Sequence, residues 1–170
     1  MPLTHFDNLL VRDATAMDVT GLTRLKQPEA VHRDRLRDAQ SQSFRYVVLE
    51  HCGDVIGFAC LVFMRPQAWS DAHDISHLPQ LVDVQIAPAL RGQGYGAYFI
   101  KALEQMARSS AGELFLAVDP LSNARAFAFY QRLGYEPLQA NPYMKHWEFV
   151  DSGGNLHSGD DWTVDMVKSL

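Results

Sequence analysis

A stretch of strand character, Leu81 to Ala87, runs through Pro88 into Arg91-Gly92-Gln93-Gly94-Tyr95-Gly96. Beyond it Phe99, Ala102, Leu103 and Met106 repeat at the i, i+3, i+4, i+7 spacing of a helix's apolar face. A strand that turns through glycines into a helix presents several backbone N–H groups at a helix amino terminus, where the helix dipole also favours an anion. Glycine lets the backbone come close to a diphosphate while it turns, and Arg91 adds a charged donor at the rim. The competing reading is a glycine-rich connector that binds nothing. The turn is G-x-G-x-G, follows a strand in the middle of the chain and lacks a Lys-Ser/Thr pair, so it meets neither the dinucleotide fingerprint nor the Walker loop.

The strand before the turn has a polar side. Strict alternation places Val82, Val84 and Ile86 on one face and Leu81, Asp83 and Gln85 on the other. The length, 170 residues at 47% hydrophobic and 21% charged, suits one domain, taken as residues 1–170. Fifteen Lys+Arg against 20 Asp+Glu give a formal charge of -5, which disfavours a grip on a nucleic-acid backbone. Cys52 and Cys60 form neither a disulfide framework nor a CxxC zinc motif and read as two buried thiols. No window has the ~18 apolar residues of a membrane span, and the first residues lack a leader pattern, so the expectation is a soluble, cytoplasmic protein.

Around this centre the chain alternates helices and strands. Leu9–Arg12 reads as a strand, and Thr15 with Asp18 as a capping box opening a helix through Val19, Leu22 and Leu25. Gln27-Pro28 breaks that helix, and Glu29 to Gln40 follows as a weakly amphipathic one in which Arg33, Arg35 and Arg37 alternate with Asp34 and Asp38 as a solvated face. Phe44–Glu50 and Val55–Phe63, joined at Cys52-Gly53-Asp54, read as a hairpin. Arg65 to Pro79 is an irregular excursion. Leu114–Val118 is a strand, and Asn123 caps a helix carrying Ala126, Phe129, Tyr130 and Leu133 before Gly134. His146–Val150 and Trp162–Val167 close the chain as strands.

Two segments carry a family resemblance. Val84-Gln85-Ile86-Ala87-Pro88-Ala89-Leu90-Arg91-Gly92-Gln93-Gly94-Tyr95-Gly96 resembles the acetyl-CoA-binding segment of the GNAT N-acetyltransferase superfamily, a strand ending in V-x-P followed by R-G-x-G-x-G/A. Asn123 to Tyr135 resembles that family's N-x-x-A-x-x-x-Y-x-x-x-G-F/Y helix. The resemblance implies an α/β (α+β) single-domain fold: a mixed, mostly antiparallel sheet of about seven strands, splayed at the fourth and fifth, flanked by about four helices. It implies acetyl transfer from acetyl-CoA, bound through Val84, Gln85, Ile86, Arg91, Gly92, Gln93, Gly94, Tyr95, Gly96, Asn123, Arg125 and Tyr130, to a primary amine of a small molecule or peptide by direct attack. A homodimer is carried along as an open expectation.

An amine with pKa near 10.4 must lose a proton before it attacks, at a cost of about 4 to 5 kcal/mol at neutral pH. Asp83 is the expected base, directly or through a water, against the alternative of a solvated carboxylate. By the resemblance, a backbone N–H near Val84 to Ile86 holds the oxyanion and Tyr130 protonates the departing thiolate; its rival role is core packing. Asp71, His73, Asp74 and His77, on the excursion, are expected to select a cationic acceptor. Two other classes compete: a non-catalytic acyl-CoA sensor of the same fold, and a metal-dependent hydrolase using His73 and His77, which imitate H-E-x-x-H without a third ligand.

Overall fold

The computed structural model describes residues 6–63 and 75–170. Its strands are β1 (Leu9–Asp13), β2 (Phe44–His51), β3 (Asp54–Val62), β4 (Gln80–Ile86), β5 (Glu113–Val118), β6 (Glu136–Pro137), β7 (Tyr143–Val150) and β8 (Leu156–Ser169). Its α-helices are α1 (Val19–Leu25), α2 (Glu29–Asp38), α3 (Tyr95–Ala107) and α4 (Ala124–Arg132). The eight strands form one sheet in the order β1-β2-β3-β4-β5-β8-β6, with β7 on the far half of β8. Every pairing is antiparallel except β4 with β5. That parallel pair spans only Gln80↔Phe115 and Leu81↔Leu116, after which the two strands part. The fold is the expected mixed sheet, one strand larger than anticipated.

Each face of the sheet buries its own helices. Val47, Leu49, Leu61, Leu81, Leu114 and Leu116 pack with Phe99, Ile100 and Leu103 of α3 and with partly buried residues of α4. Tyr46, Val48, Phe58 and Cys60 pack on the opposite face against Leu22 of α1 and Leu36 of α2. The anticipated capping box is present, but it closes a 3₁₀ turn, Ala16–Asp18, that leads into α1: Asp18 accepts from the backbone N–H of Thr15 at 2.7 Å. The β2–β3 turn holds Cys52 (φ 53°) and Gly53 (φ 89°) in the left-handed region that a tight hairpin requires. It also exposes Cys52, so only Cys60 is the buried thiol expected of both.

One irregularity re-aims β4. Phe58 pairs with Gln85 and Cys60 with Val82, so β4 carries one residue more than β3 between those pairs. Such a bulge bends the strand and reverses the alternation beyond it. Val84 and Ile86 therefore join Leu81 in the α3–α4 layer, while Val82 stays on the α1–α2 face. The strict alternation expected for Leu81–Gln85 fails for this reason. Asp83 absorbs the bulge with φ 50°, a conformation uncommon for a residue with a side chain. Beyond the bulge, Gly57 on β3 pairs with Ile86 and lets the strands approach closely, since a Cβ there would stand 2.7 Å from the Gln85 carbonyl oxygen.

Candidate active site

The glycine turn sits where β4 has left β5. Gly92 (φ 79°) and Gly94 (φ 92°) both hold left-handed backbone, which only glycine adopts without strain, and α3 starts immediately after. Arg91 donates from Nε to the Ile86 carbonyl at 2.9 Å, tying the turn to the end of β4. A methyl group on Gly92 would stand 3.3 Å from Nη2 of Arg125, in the first turn of α4. The turn and the amino terminus of α4 thus converge, bringing backbone donors and a guanidinium to one place. Asn123 caps α4 by accepting from the Ala126 N–H at 3.2 Å. The Tyr95 ring is buried against His51 and Phe6, so from that residue only the backbone N–H can reach a ligand.

One backbone donor faces the gap between the strands. Ala87 donates its N–H to Ile56 on β3 at 2.8 Å; by alternation the N–H of Ile86 points the other way, into the splay. Tyr130 of α4 packs edge-on against Tyr135, with ring centroids 5.7 Å apart. Burial pushes its phenol up to about 12, so it stays protonated well into alkaline solution. Among the described residues no side chain occupies its hydroxyl.

Asp83 is held by cations. Its carboxylate accepts from Arg35 Nη2 at 2.8 Å, from Lys26 Nζ at 3.1 Å and from Gln85 Nε2 at 2.9 Å. Burial alone would raise its pKa, but Arg35 and then Lys26 outweigh that and hold the group below the ordinary carboxylate range. Its side chain is 10% exposed and that of Arg35 15%, whereas Lys26 is 48% exposed. Arg35 lies 5.7 Å from the ring centres of both Tyr46 and Phe58, so it leaves the solvated face expected of its helix, which Arg33 and Arg37 keep. Beside it His32 is fully buried, bridging the Tyr46 hydroxyl and the Lys26 carbonyl at 2.7 Å each. These partners were not legible in the sequence, because a charge-rich helix gives no sign of which single arginine turns inward.

Of the residues anticipated to select the acceptor, only His77 is among those described. Asp71, His73 and Asp74 lie outside the described residues. His77 precedes the amino-terminal end of β4, the end where β4 and β5 are paired, and lines a cavity of about 660 Å³ with Phe44, Phe63 and Pro79. A second cavity, about 670 Å³, runs along the outer side of α3 and reaches the turn only at Gly94. Among the described residues no group of three His, Cys, Asp or Glu could hold a metal ion, and no helix is long and apolar enough to cross a membrane.

The sequence model of the acetyltransferase (GNAT) family matches residues 10–135, which include the splay, the turn and α4. The chain belongs to this family. It is 33% identical over 99 residues to streptothricin acetyltransferase of Streptomyces lavendulae, a match covering 58% of this chain and 46% of that protein. The matched stretch thus spans about half the length of that curated relative. A ribosomal-protein-alanine N-acetyltransferase from Brucella melitensis superposes with a TM-score of 0.67 at 22% identity, covering 95% of this chain and 99% of that one. A phosphinothricin acetyltransferase from Sinorhizobium meliloti, solved in complex with acetyl-CoA, gives 0.66 at 18% identity, covering 96% and 89%. At these identities the solved structures establish the fold, including the splay of β4 and β5.

Proposed function

We propose that the chain is an acetyl-CoA-dependent N-acetyltransferase acting on a primary amine of a small molecule or peptide by direct attack in a ternary complex. The observation that carries this is the pair of left-handed glycines at the start of α3, facing Arg125 across the mouth of the splay. A diphosphate fits such a place, since backbone donors, a helix amino terminus and a guanidinium meet there. Acetyl-CoA, when bound, supplies the activated acyl group. Arg91, Gly92, Gln93, Gly94 and the Tyr95 and Gly96 backbone would hold its phosphates, with Asn123 and Arg125 closing over them. Val84, Gln85 and Ile86 would line its acyl arm.

Within the splay the Ile86 N–H is placed to hold the negative charge that develops on the acyl oxygen. Tyr130 is placed to give a hydrogen bond to the departing sulfur. A phenol at about 12 is a weaker acid than a free thiol near 8.5, but the apolar surroundings that raise the phenol raise a thiolate beside it as well. Asp83 is assigned to the acceptor: its exposed partner Lys26 can yield to an incoming ammonium, while Arg35 stays. Because Arg35 keeps the proton affinity of Asp83 low, the proton leaves through a water that Asp83 orients. A role for Asp71, His73 and Asp74 in acceptor choice stays part of the proposal, while His77, at the paired end of β4, is left out of it.

Two free cysteines suit a reducing, cytoplasmic setting. Met144 with Trp162 and Val150 with Leu156, exposed on one face of the β7–β8 hairpin on either side of His146, Glu148 and Asp160, offer a second copy two apolar contacts, which sedimentation would test. The main test is calorimetric titration with acetyl-CoA, followed by thiol release in the presence of a panel of amines. Micromolar binding lost in Arg125→Glu, with turnover of at least one amine, is the expected result. Binding without turnover of any amine would favour a non-catalytic acyl-CoA sensor.

A further inference from the structure

Asp165 is fully buried on β8 and is not part of the machinery described above. Its Oδ2 accepts from Gln139 Nε2 at 2.8 Å and from the Tyr143 hydroxyl at 2.9 Å. Its backbone N–H donates to Oε1 of the same Gln139 at 2.9 Å, so both ends of that amide are committed and the carboxylate is held in one orientation. Its Oδ1 is buried and accepts no hydrogen bond among the described residues. A buried carboxylate oxygen without a partner costs free energy, and a donor from outside the chain, a water or a ligand's ammonium, would relieve it.

The register says where that donor comes from. Asp165 pairs with Ala117, the β5 residue one step beyond Leu116, and Leu116 belongs to the last pair that β5 makes with β4. Val164 and Met166 belong to the α3–α4 core, so Asp165 and Ala117 face the α1–α2 side, the side of Asp83. Ala117 is exposed, so at the start of the splay the surface comes down to the sheet beside the carboxylate. The tip of the β7–β8 hairpin reaches over this face to α2, where Ser152 donates its N–H to Asp34 at 2.8 Å. Asp83 already holds two cations, whereas among the described residues Asp165 holds none.

We propose that Asp165 is a specificity-determining residue, a subsite for a second positively charged group on the acceptor. This rests on the acetyltransferase reading. The reacting nitrogen must be neutral and must lie in the splay on one side of β5, while Asp165 lies on the other side, about 5 Å beyond β5 itself. An acceptor whose second ammonium stands a few bonds from the reacting amine spans that separation. Tyr143 and Gln139 position the carboxylate for it.

The direct test needs no turnover: CoA-loaded protein is titrated with 1,4-diaminobutane and, separately, with n-butylamine. The parent should bind the diamine at least 10-fold more tightly than the monoamine. Asp165→Asn, whose oxygen can still accept from Gln139 and Tyr143 while an amide donor replaces Oδ1, should abolish that preference. Ala117→Leu, which covers the opening and leaves the carboxylate in place, should abolish it too. CoA affinity and urea unfolding should be unchanged in both variants. In turnover the loss should appear as a KM increase of 10-fold or more for diamines, with kcat within 3-fold. No diamine preference in the parent, or one that survives Asp165→Asn, overturns the proposal while leaving acetyl transfer standing. Failure of CoA itself to bind would instead sink the acetyltransferase reading.

Discussion

Replacing Asp83 with Asn removes the charge that neutralises a buried arginine. The Arg35–Asp83 pair is 2.8 Å long with both side chains largely buried, whereas the Lys26 contact is half exposed and contributes little. Breaking a buried pair from one side costs about 3–5 kcal/mol because a charge is left unpaired. The Asn oxygen can still accept one hydrogen bond from Arg35, which puts the loss near the lower end, about 3 kcal/mol. With an m-value of about 2 kcal/mol per molar urea, the midpoint should fall by about 1.5 M at pH 7. The pH dependence follows from the lowered pKa of Asp83: its stabilisation is full above the ordinary carboxylate value and is lost as pH falls through the folded-state value. Parent and variant should therefore differ by the same amount from pH 7 down to about 4 and converge below that. Urea unfolding at pH 7, 4.5 and 3 measures this. Asp83→Asn with Arg35→Met should recover most of the loss, since no buried charge remains. A loss under about 1 kcal/mol at pH 7, or one undiminished at pH 3, would refute the account of this pair.

Three further outcomes are expected. Tyr130→Phe should lower kcat by 10-fold or more while leaving the dissociation constant of acetyl-CoA within 2-fold, as read by steady-state kinetics beside calorimetry. Gly94→Trp, which places a side chain at φ 92° and against Phe6, should abolish acetyl-CoA binding while circular dichroism keeps the parent's spectrum. Asp83→Asn should lower kcat/KM by about 10²-fold near neutral pH, with the deficit shrinking toward pH 10 as the free amine supplies its own neutral form. A deficit equal at every pH would reduce Asp83 to binding the ammonium.

The local signals were the durable ones. Two glycines that must hold positive φ, an asparagine at a helix start and an apolar stripe at helical spacing are each satisfied by neighbours in sequence. The turn at Arg91–Gly96, the cap at Asn123 and the α4 stripe with Tyr130 could therefore be placed from the chain alone. The order of elements followed from caps, turns and apolar spacing along the chain, and the splay from the family resemblance that two of its segments carry. What the fold alone decided involves residues far apart in the chain. The bulge at Asp83 is set by how β4 pairs with β3, and a reading by strict alternation has no access to a partner strand. The inward turn of Arg35 depends on a carboxylate 48 residues away, and a helix that alternates arginine and aspartate does not say which arginine finds one. Nothing in the sequence around Asp165 marks it; its surroundings of Gln139, Tyr143 and Ala117 come together only in the fold. Burial and charge compensation are properties of the assembled sheet and its covering helices, and they set which of the chain's twenty acidic residues have chemistry to do.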